Sequence, residues 1–245
     1  MPRASRAQGA PPFISNDPGT PGNGNWEINL GTTQAVMRSN ASYELPQIDI
    51  NFGVGDRIQL TYEIPYVVAT AAGVPAQSGW GNAYPGIKWR FLDQGEGGWE
   101  ISTFPQLESG LTGRAQQQGL GSAGPRLLLP IEVDRNIGPV EVDFEGGYYL
   151  PWHGPRERIL GLVVGHNFSP RLNLGLELYD DRAVDALPHS TTADFGGHYE
   201  LHHGIIALFM AGKGLSGDAS ERPQFIGYLG FQILLTHYGL ELSSE

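Results

Sequence analysis

The stretch RLNLGLEL at residues 171–178 alternates apolar and polar side chains without interruption. Leucine occupies every even position from 172 to 178, and Asn173, Gly175 and Glu177 lie between the leucines. Successive side chains of a β-strand point to opposite faces, so a period of two predicts a strand. The same alternation occurs in Gln47–Phe52, Ile58–Tyr66, Leu127–Asp134 and Val140–Glu145.

Followed along the chain, this alternation predicts about twelve strands of about 9–13 residues each. Strands of soluble proteins are usually about 5–6 residues long, whereas a tilted strand needs about 9–11 residues to cross a bilayer. The predicted length therefore favours strands that span a membrane. The strands lie near residues 26–36, 43–54, 57–69, 82–93, 98–108, 125–136, 139–150, 157–168, 171–183, 191–202, 204–214 and 224–235.

The predicted connections alternate between short and long. Short turns fall at Gly55-Asp56, Gln94–Gly97, Gly138, Ser169-Pro170 and His203. Longer loops, rich in Gly, Pro and Ser, fall at Met37–Ser42, Ala71–Gly81, Ser109–Gly124, Pro151–Arg156, Val184–Ser190 and Leu215–Pro223. This alternation is typical of outer-membrane barrels, which have short periplasmic turns and longer extracellular loops.

The composition excludes several other classes of protein. The 245 residues include 35 Gly and 18 Pro, which would interrupt the helices of a bundle. The chain has no Cys, so disulfide frameworks, thiolate metal sites and Cys nucleophiles are excluded. A net charge of −11 repels nucleic-acid phosphates, and we predict no nucleic-acid partner.

Alternation alone does not say which face of the barrel is buried, because a soluble barrel and a membrane barrel have opposite faces outward. Aromatic residues near the strand ends favour the membrane barrel, since membrane barrels carry aromatic girdles at both interfaces. On the short-turn side these residues are Trp26, Phe52, Trp89, Phe91, Trp99 and Phe168. On the long-loop side they are Tyr66, Trp80, Tyr84, Tyr149, Trp152 and Tyr179.

The sequence therefore predicts an all-β fold, an antiparallel up-and-down transmembrane β-barrel over residues 25–245, in the lipid bilayer of the outer membrane. Residues 1–24 have no strand periodicity and form either a periplasmic tail or a plug inside the lumen. Met1–Pro12 contains no apolar stretch of the kind that a signal peptide needs, which leaves open whether one was removed, is missing or never existed.

Several segments resemble a family of bacterial outer-membrane barrels that carry the labels meta-pathway of phenol degradation or transporter. The resembling segments are Pro11–Leu30 (PPFISNDPGTPGNGNWEINL), Leu45–Tyr66, Gly79–Phe91, Arg171–Tyr179, Phe195–Leu215 and Phe225–Ile233. The resemblance implies passage or uptake of small molecules, hydrophobic or aromatic ones among them. One departure is that Thr236–Glu245 follows the last strand, where outer-membrane chains commonly end on an aromatic residue.

If the apolar face meets lipid, the polar face lines the lumen. One interpretation is that an acidic lining favours cations or uncharged solutes over anions. The other is that these side chains form a salt-bridge network that fills the barrel. The candidate lumen-lining residues are Asp49, Arg57, Glu63, Lys88, Arg90, Glu100, Arg126, Glu132, Asp134, Glu141, Asp143, Glu145, Glu177, Asp194, His198 and Glu200.

Catalytic and metal sites are not predicted. His198 and His202 would share a helix face, but on a strand they are about 13 Å apart, which one metal ion cannot bridge. No Gly-x-Ser-x-Gly motif is present, and no pattern brings a Ser beside a His. We therefore predict a passive channel that is not an enzyme and holds no cofactor.

Two alternatives to a channel stay open. One is a closed barrel with a structural or adhesive role, and the other is a soluble β-barrel that binds an apolar ligand. The identity of the permeant and the oligomeric state do not follow from the sequence.

Overall fold

The computed structural model describes residues 11–95, 97–110, 118–121, 124–184, 189–219 and 222–236. These residues contain no helix that is long and apolar enough to cross a bilayer. The strands are β1 (Trp26–Val36), β2 (Asn40–Val54), β3 (Ile58–Ala71), β4 (Val74–Trp80), β5 (Asn82–Asp93), β6 (Trp99–Thr103), β7 (Gln106–Gly110), β8 (Arg126–Ile137), β9 (Val140–Pro151), β10 (Glu157–Ser169), β11 (Leu172–Ala183), β12 (His189–His202), β13 (Ile205–Gly217) and β14 (Phe225–Leu235).

The strands close into one antiparallel barrel. Each strand from β8 to β14 pairs with the next, and β1 pairs with both β14 and β2. A short break at Gly81 separates β4 from β5, and Phe104-Pro105 separates β6 from β7, so each of these pairs forms a single wall strand. The closed barrel therefore has 12 strands, as the sequence predicts.

The strand faces are those of a membrane barrel. In β11, Leu176 is 64% exposed, whereas the neighbouring Glu177 is 2% exposed. The same inversion occurs in the other strands, which turn large apolar side chains outward and polar ones inward. Such an outer surface is stable only in hydrocarbon, and a closed barrel leaves no unpaired strand edge in that layer. The protein is thus an outer-membrane β-barrel.

Two connections differ from the predicted long loops. β2 begins at Asn40, so only three residues separate it from β1, in place of the predicted loop Met37–Ser42. β4 pairs with the end of β3 from Tyr66↔Trp80 to Ala71↔Val74, so most of Ala71–Gly81 is a hairpin. Strand pairing continues beyond the apolar alternation at these positions, and the sequence pattern therefore underestimates the strand length.

The aromatic residues predicted as girdles divide into two groups. On the short-turn side, Trp26, Trp89, Phe91, Trp99 and Phe168 are exposed on the outer surface. On the long-loop side, Trp80 and Trp152 are exposed as well. Tyr84, Tyr149 and Tyr179 differ, because they line a cavity inside the barrel. For these three tyrosines the girdle prediction is wrong. Each lies an even number of residues from an inward polar side chain of its own strand, and this spacing places both side chains on the same face.

Candidate functional site: the barrel lumen

The predicted lumen residues occupy inward strand positions, with one exception. Asp49, Lys88, Arg90, Glu132, Asp134, Asp143, Glu145, Glu177 and Asp194 are buried. Glu63, Glu100, Arg126, Glu141, His198 and Glu200 are half-buried. The exception is Arg57, which lies exposed in the turn between β2 and β3, because the chain reverses direction before the strand begins.

Acidic side chains lie directly opposite one another on the inner wall. The strand register pairs Glu132 with Glu145, Asp134 with Asp143, Glu177 with Asp194, and Asp49 with Glu63. Carboxylate oxygens of Asp134, Glu141 and Asp143 all lie within 4.8 Å of one another. Like charges in directly paired positions repel, so this wall stays charged only where cations or hydrogen-bond donors lie close to it.

Three basic side chains neutralise part of the acidic wall. The Lys88 ammonium, fully buried, lies 3.5 Å from Glu132. Arg90 lies 2.8 Å from Glu100 and 3.4 Å from Asp93. All these bases have acidic partners, so a salt-bridge network does exist in the lumen.

Arg126 forms the third basic centre, near the long-loop end of the barrel. Its guanidinium bonds Glu108, and a second nitrogen lies 2.5 Å from Glu157. The same guanidinium lies over the Tyr149 ring, 3.9 Å from the centroid. Asp49, Glu63, Glu145 and Glu177 are inward acids that form no ion pair with a described residue, which leaves a surplus of negative charge.

Residues 11–20 lie inside the barrel and contact its inner wall, and residues 21–25 lead to β1 at the short-turn end. The Ile14 and Ser15 amides donate to Glu177 at 2.8 and 2.7 Å, and the Ser15 hydroxyl donates to the same carboxylate at 2.5 Å. The Asn16 amide donates to Glu145 at 3.1 Å, and the Lys88 ammonium donates to the Asp17 carbonyl. Two acids of the predicted lining therefore hold the N-terminal segment in place.

The segment follows the lumen down to the short-turn end of the barrel. The Thr20 hydroxyl donates to the Asp56 carbonyl at 3.0 Å, and the Gly24 amide donates to the Gly53 carbonyl at 2.9 Å. A Cβ on Gly53 would lie 1.8 Å from the Gly22 carbonyl oxygen, so the close approach requires glycine. Burial raises the pKa of the Asp17 carboxyl well above its usual range, and the nearby Lys88 charge opposes that rise.

A cavity of about 350 Å³ lies between this segment and the long-loop end of the barrel. Pro11, Pro12, Phe13, Ile14 and Asn16 line one side of it. We call this cavity the chamber. The barrel wall around it carries four tyrosines, which are Tyr84, Tyr149, Tyr179 and Tyr228. Five large apolar side chains also line it, which are Phe104, Leu128, Ile159, Met210 and Ile226. Its three carboxylates are those of Asp49, Glu63 and Glu145.

The sequence pattern contained a signal for some of these chamber residues. Tyr149 lies four residues after Glu145, and Tyr179 lies two residues after Glu177, so each shares the parity of an inward acid. The contacts of Ser15 could not be inferred in this way, because the N-terminal segment has no period.

Comparison with known proteins identifies the fold. No protein-family model matches the sequence, and no curated protein matches it. Among solved structures, an outer membrane channel from Pseudomonas putida F1 superimposes with a TM-score of 0.71 at 13% identity, covering 87% of this chain and 96% of that one.

Two further structures share the architecture. The KdgM porin matches with a TM-score of 0.59 at 12% identity, covering 84% of this chain and 98% of that one. The translocator domain of the autotransporter NalP from Neisseria meningitidis matches with a TM-score of 0.61 at 13% identity, covering 85% of this chain and 88% of that one. At 12–13% identity, the likeness to these three structures establishes the outer-membrane barrel fold and no more.

Proposed function

We propose that the protein is an outer-membrane channel for small molecules, and that its acidic lumen favours cations and uncharged solutes over anions. The observation that carries this proposal is the chamber, a cavity of about 350 Å³ inside a closed barrel that is lined by three carboxylates. Rings of acidic side chains in a pore attract cations and repel anions. The inward acids that line the chamber outside ion pairs, such as Asp49 and Glu63, supply that field.

Small aromatic or hydrophobic molecules are the proposed permeants. The tyrosines and apolar side chains of the chamber provide a surface for such molecules. The resemblance of the sequence to barrels that carry the phenol-degradation label supports the same class of permeant.

The N-terminal segment is proposed as a plug that restricts the pore. Its hydrogen bonds to Glu177 and Glu145 hold it across the lumen between the chamber and the short-turn end. By the general rule for these barrels, the short turns face the periplasm, so the chamber would open towards the outside of the cell.

Single-channel recording in a planar bilayer tests the channel function. The full chain should show discrete conductance steps, and a KCl gradient should give a reversal potential of the sign that marks cation selectivity. An anion-selective reversal potential would contradict the role of the acidic lining.

The closed structural barrel is the second candidate, because the N-terminal segment occupies the lumen and the lumen bases are paired. Complete absence of conductance, in the full chain and in variants that release the segment, favours that candidate and overturns the channel. Heat-dependent migration on a gel, a standard property of folded outer-membrane barrels, would show that each variant is folded.

A further inference from the structure

The chamber has two chemically different walls. Carboxylates of Asp49 and Glu63, in paired positions on β2 and β3, lie on one side. Buried apolar side chains, among them Leu128 and Ile159, lie in β8 and β10 on the other side. A volume of about 350 Å³ falls at the lower end of the range of about 300–1,000 Å³ for small-molecule sites.

The charge of the chamber is unbalanced. Asp49, Glu63 and Glu145 line it, and none of the described lining residues is Lys or Arg. Asp49 accepts hydrogen bonds from the amides of Asn29 and Asn51, and Glu63 accepts one from Gln47. One oxygen of Asp49 and one of Glu145 have no hydrogen-bond partner among the described residues. Buried carboxylates with such unpartnered oxygens favour a positively charged ligand.

Tyrosine rings provide a second attraction for a positive charge. Tyr84, Tyr149, Tyr179 and Tyr228 all line the chamber. The face of an aromatic ring attracts a cation within about 6 Å of its centroid. The barrel already uses this contact at two chamber residues, because the Arg126 guanidinium lies 3.9 Å from the centroid of the Tyr149 ring and the Lys88 ammonium lies 4.8 Å from that of the Phe104 ring.

We propose that the chamber binds small organic cations that have an apolar or aromatic body, such as arylalkyl ammonium ions. The ammonium group would lie between the carboxylates of Asp49 and Glu63 and the tyrosine rings, and the body would pack on Leu128 and Ile159. This inference rests on the proposed channel function, since it names the class of molecule that the channel takes up.

Other ligand classes fit the chamber less well. A bare divalent cation takes about 6–8 oxygen ligands at short distance, and the apolar wall supplies none. A neutral aromatic molecule would pack on that wall but leave the carboxylates buried without a counter-charge. An anion would be repelled by all three carboxylates.

Calorimetric titration of the full chain in zwitterionic detergent tests the inference with three matched probes. These are 2-phenylethylammonium, the neutral 2-phenylethanol and the anionic phenylacetate, which share a phenyl ring and a short chain. The ammonium probe should bind at least about tenfold more tightly than the neutral probe, from its charge and ring contacts. Phenylacetate should not bind.

Variants of the lining acids locate the site. The double variant Asp49→Asn with Glu63→Gln should lose most of the preference for the ammonium probe. The control is Asp134→Asn, an inward acid that is not among the chamber residues and should keep the preference. Tyr179→Leu should weaken binding of the ammonium probe more than binding of the neutral probe, which gives a second test if the double variant does not fold.

Conductance, recorded separately, distinguishes this inference from the proposed function. Selective binding of the ammonium probe, with no conductance in the full chain or in variants that release the N-terminal segment, would support the binding site and overturn the channel. Conductance together with equal binding of the three probes would support the channel and overturn this inference. A preference that survives in the double variant and in Tyr179→Leu would overturn it as well, because the cation would then bind outside the chamber.

Discussion

Two groups of inward acids use the same residue types in different ways. Glu177 and Glu145, on β11 and β9, accept hydrogen bonds from the N-terminal segment, and Lys88 lies between Glu132 and the Asp17 carbonyl. Asp49 and Glu63, on β2 and β3, face the chamber and accept hydrogen bonds only from side-chain amides of the wall. An inward acid therefore serves structure where it holds the segment, and in the proposed channel it acts on a permeant where it faces the chamber alone.

This difference separates two interpretations that the sequence left open. A salt-bridge network is present around Lys88 and Arg90, whereas the selective lining is what we propose for the chamber. Variants that change one group of side chains at a time test this difference.

Replacing Lys88 should cause the largest effect, on stability. Lys88→Met leaves the fully buried Glu132 without its cation and removes the bond to Asp17. Breaking a buried pair in this way costs about 3–5 kcal/mol. Urea unfolding in lipid vesicles measures the loss. Arg57→Met, at an exposed turn position, is the control and should stay within about 0.5 kcal/mol of the parent.

Glu177→Gln should release the N-terminal segment and raise the conductance. In the parent protein, the Ile14 and Ser15 amides donate to the two oxygens of the Glu177 carboxylate. In the variant, an NH₂ group replaces one of these oxygens and cannot accept a hydrogen bond. Hydrogen bonds to charged groups contribute about 1.5–3 kcal/mol each, so the open fraction should rise at least about tenfold. Asp134→Asn is the control, because Asp134 is an inward acid on β8 that no described bond joins to the segment or to Glu177. Equal effects of the two variants would contradict the plug.

Gly161→Ala should also raise the conductance, but by less. A Cβ on Gly161 would lie 1.8 Å from the Ser15 hydroxyl oxygen, so Ser15 must move and its bond to Glu177 weakens. The loss of one such bond should raise the open fraction about three- to tenfold. Gly165→Ala, on the same face of β10, meets nothing closer than 3.3 Å and should leave the conductance unchanged.

Glu63→Gln should give the smallest effect, a reduced cation preference with little change in conductance. Glu63 lines the chamber and forms no ion pair with a described residue, so its charge acts on the permeant. Removing one of the three chamber charges should reduce the permeability ratio of K⁺ to Cl⁻ about twofold. Glu200→Gln is the control, since Glu200 lies near the end of β12, 3.5 Å from His203. A larger shift in the control would place the selective region outside the chamber.

Much of the fold could be predicted from the sequence because a membrane barrel repeats one simple pattern. β1 and β5 have the predicted bounds, and β11 and β14 end at the predicted residues. The pattern fails where strand pairing continues into residues that do not alternate between apolar and polar, as in the β3–β4 hairpin. It also fails at Tyr84, Tyr149 and Tyr179, where residue type suggested a girdle and parity places the side chain inside.

The candidate site was less accessible to prediction. Alternation identifies Glu177 as an inward residue, but it cannot say that Ser15, 162 positions earlier, donates to its carboxylate. Contacts between a segment without period and a distant strand depend on three-dimensional packing. The difference between acids that hold the segment and acids that face the chamber therefore needed the structure.

In the proposed channel, a releasable segment restricts an acidic, cation-selective lumen. The chain has no native Cys, so Ser15→Cys with Gly161→Cys introduces a single disulfide between the segment and β10. The Cβ positions lie 2.9 Å apart, and a disulfide needs about 3.8 Å, so a small shift suffices. Bilayer recording of this protein before and after a reductant should show low conductance when oxidised and a severalfold increase when reduced, with cation selectivity in both states. Unchanged conductance, or selectivity for anions in the reduced state, would contradict the account.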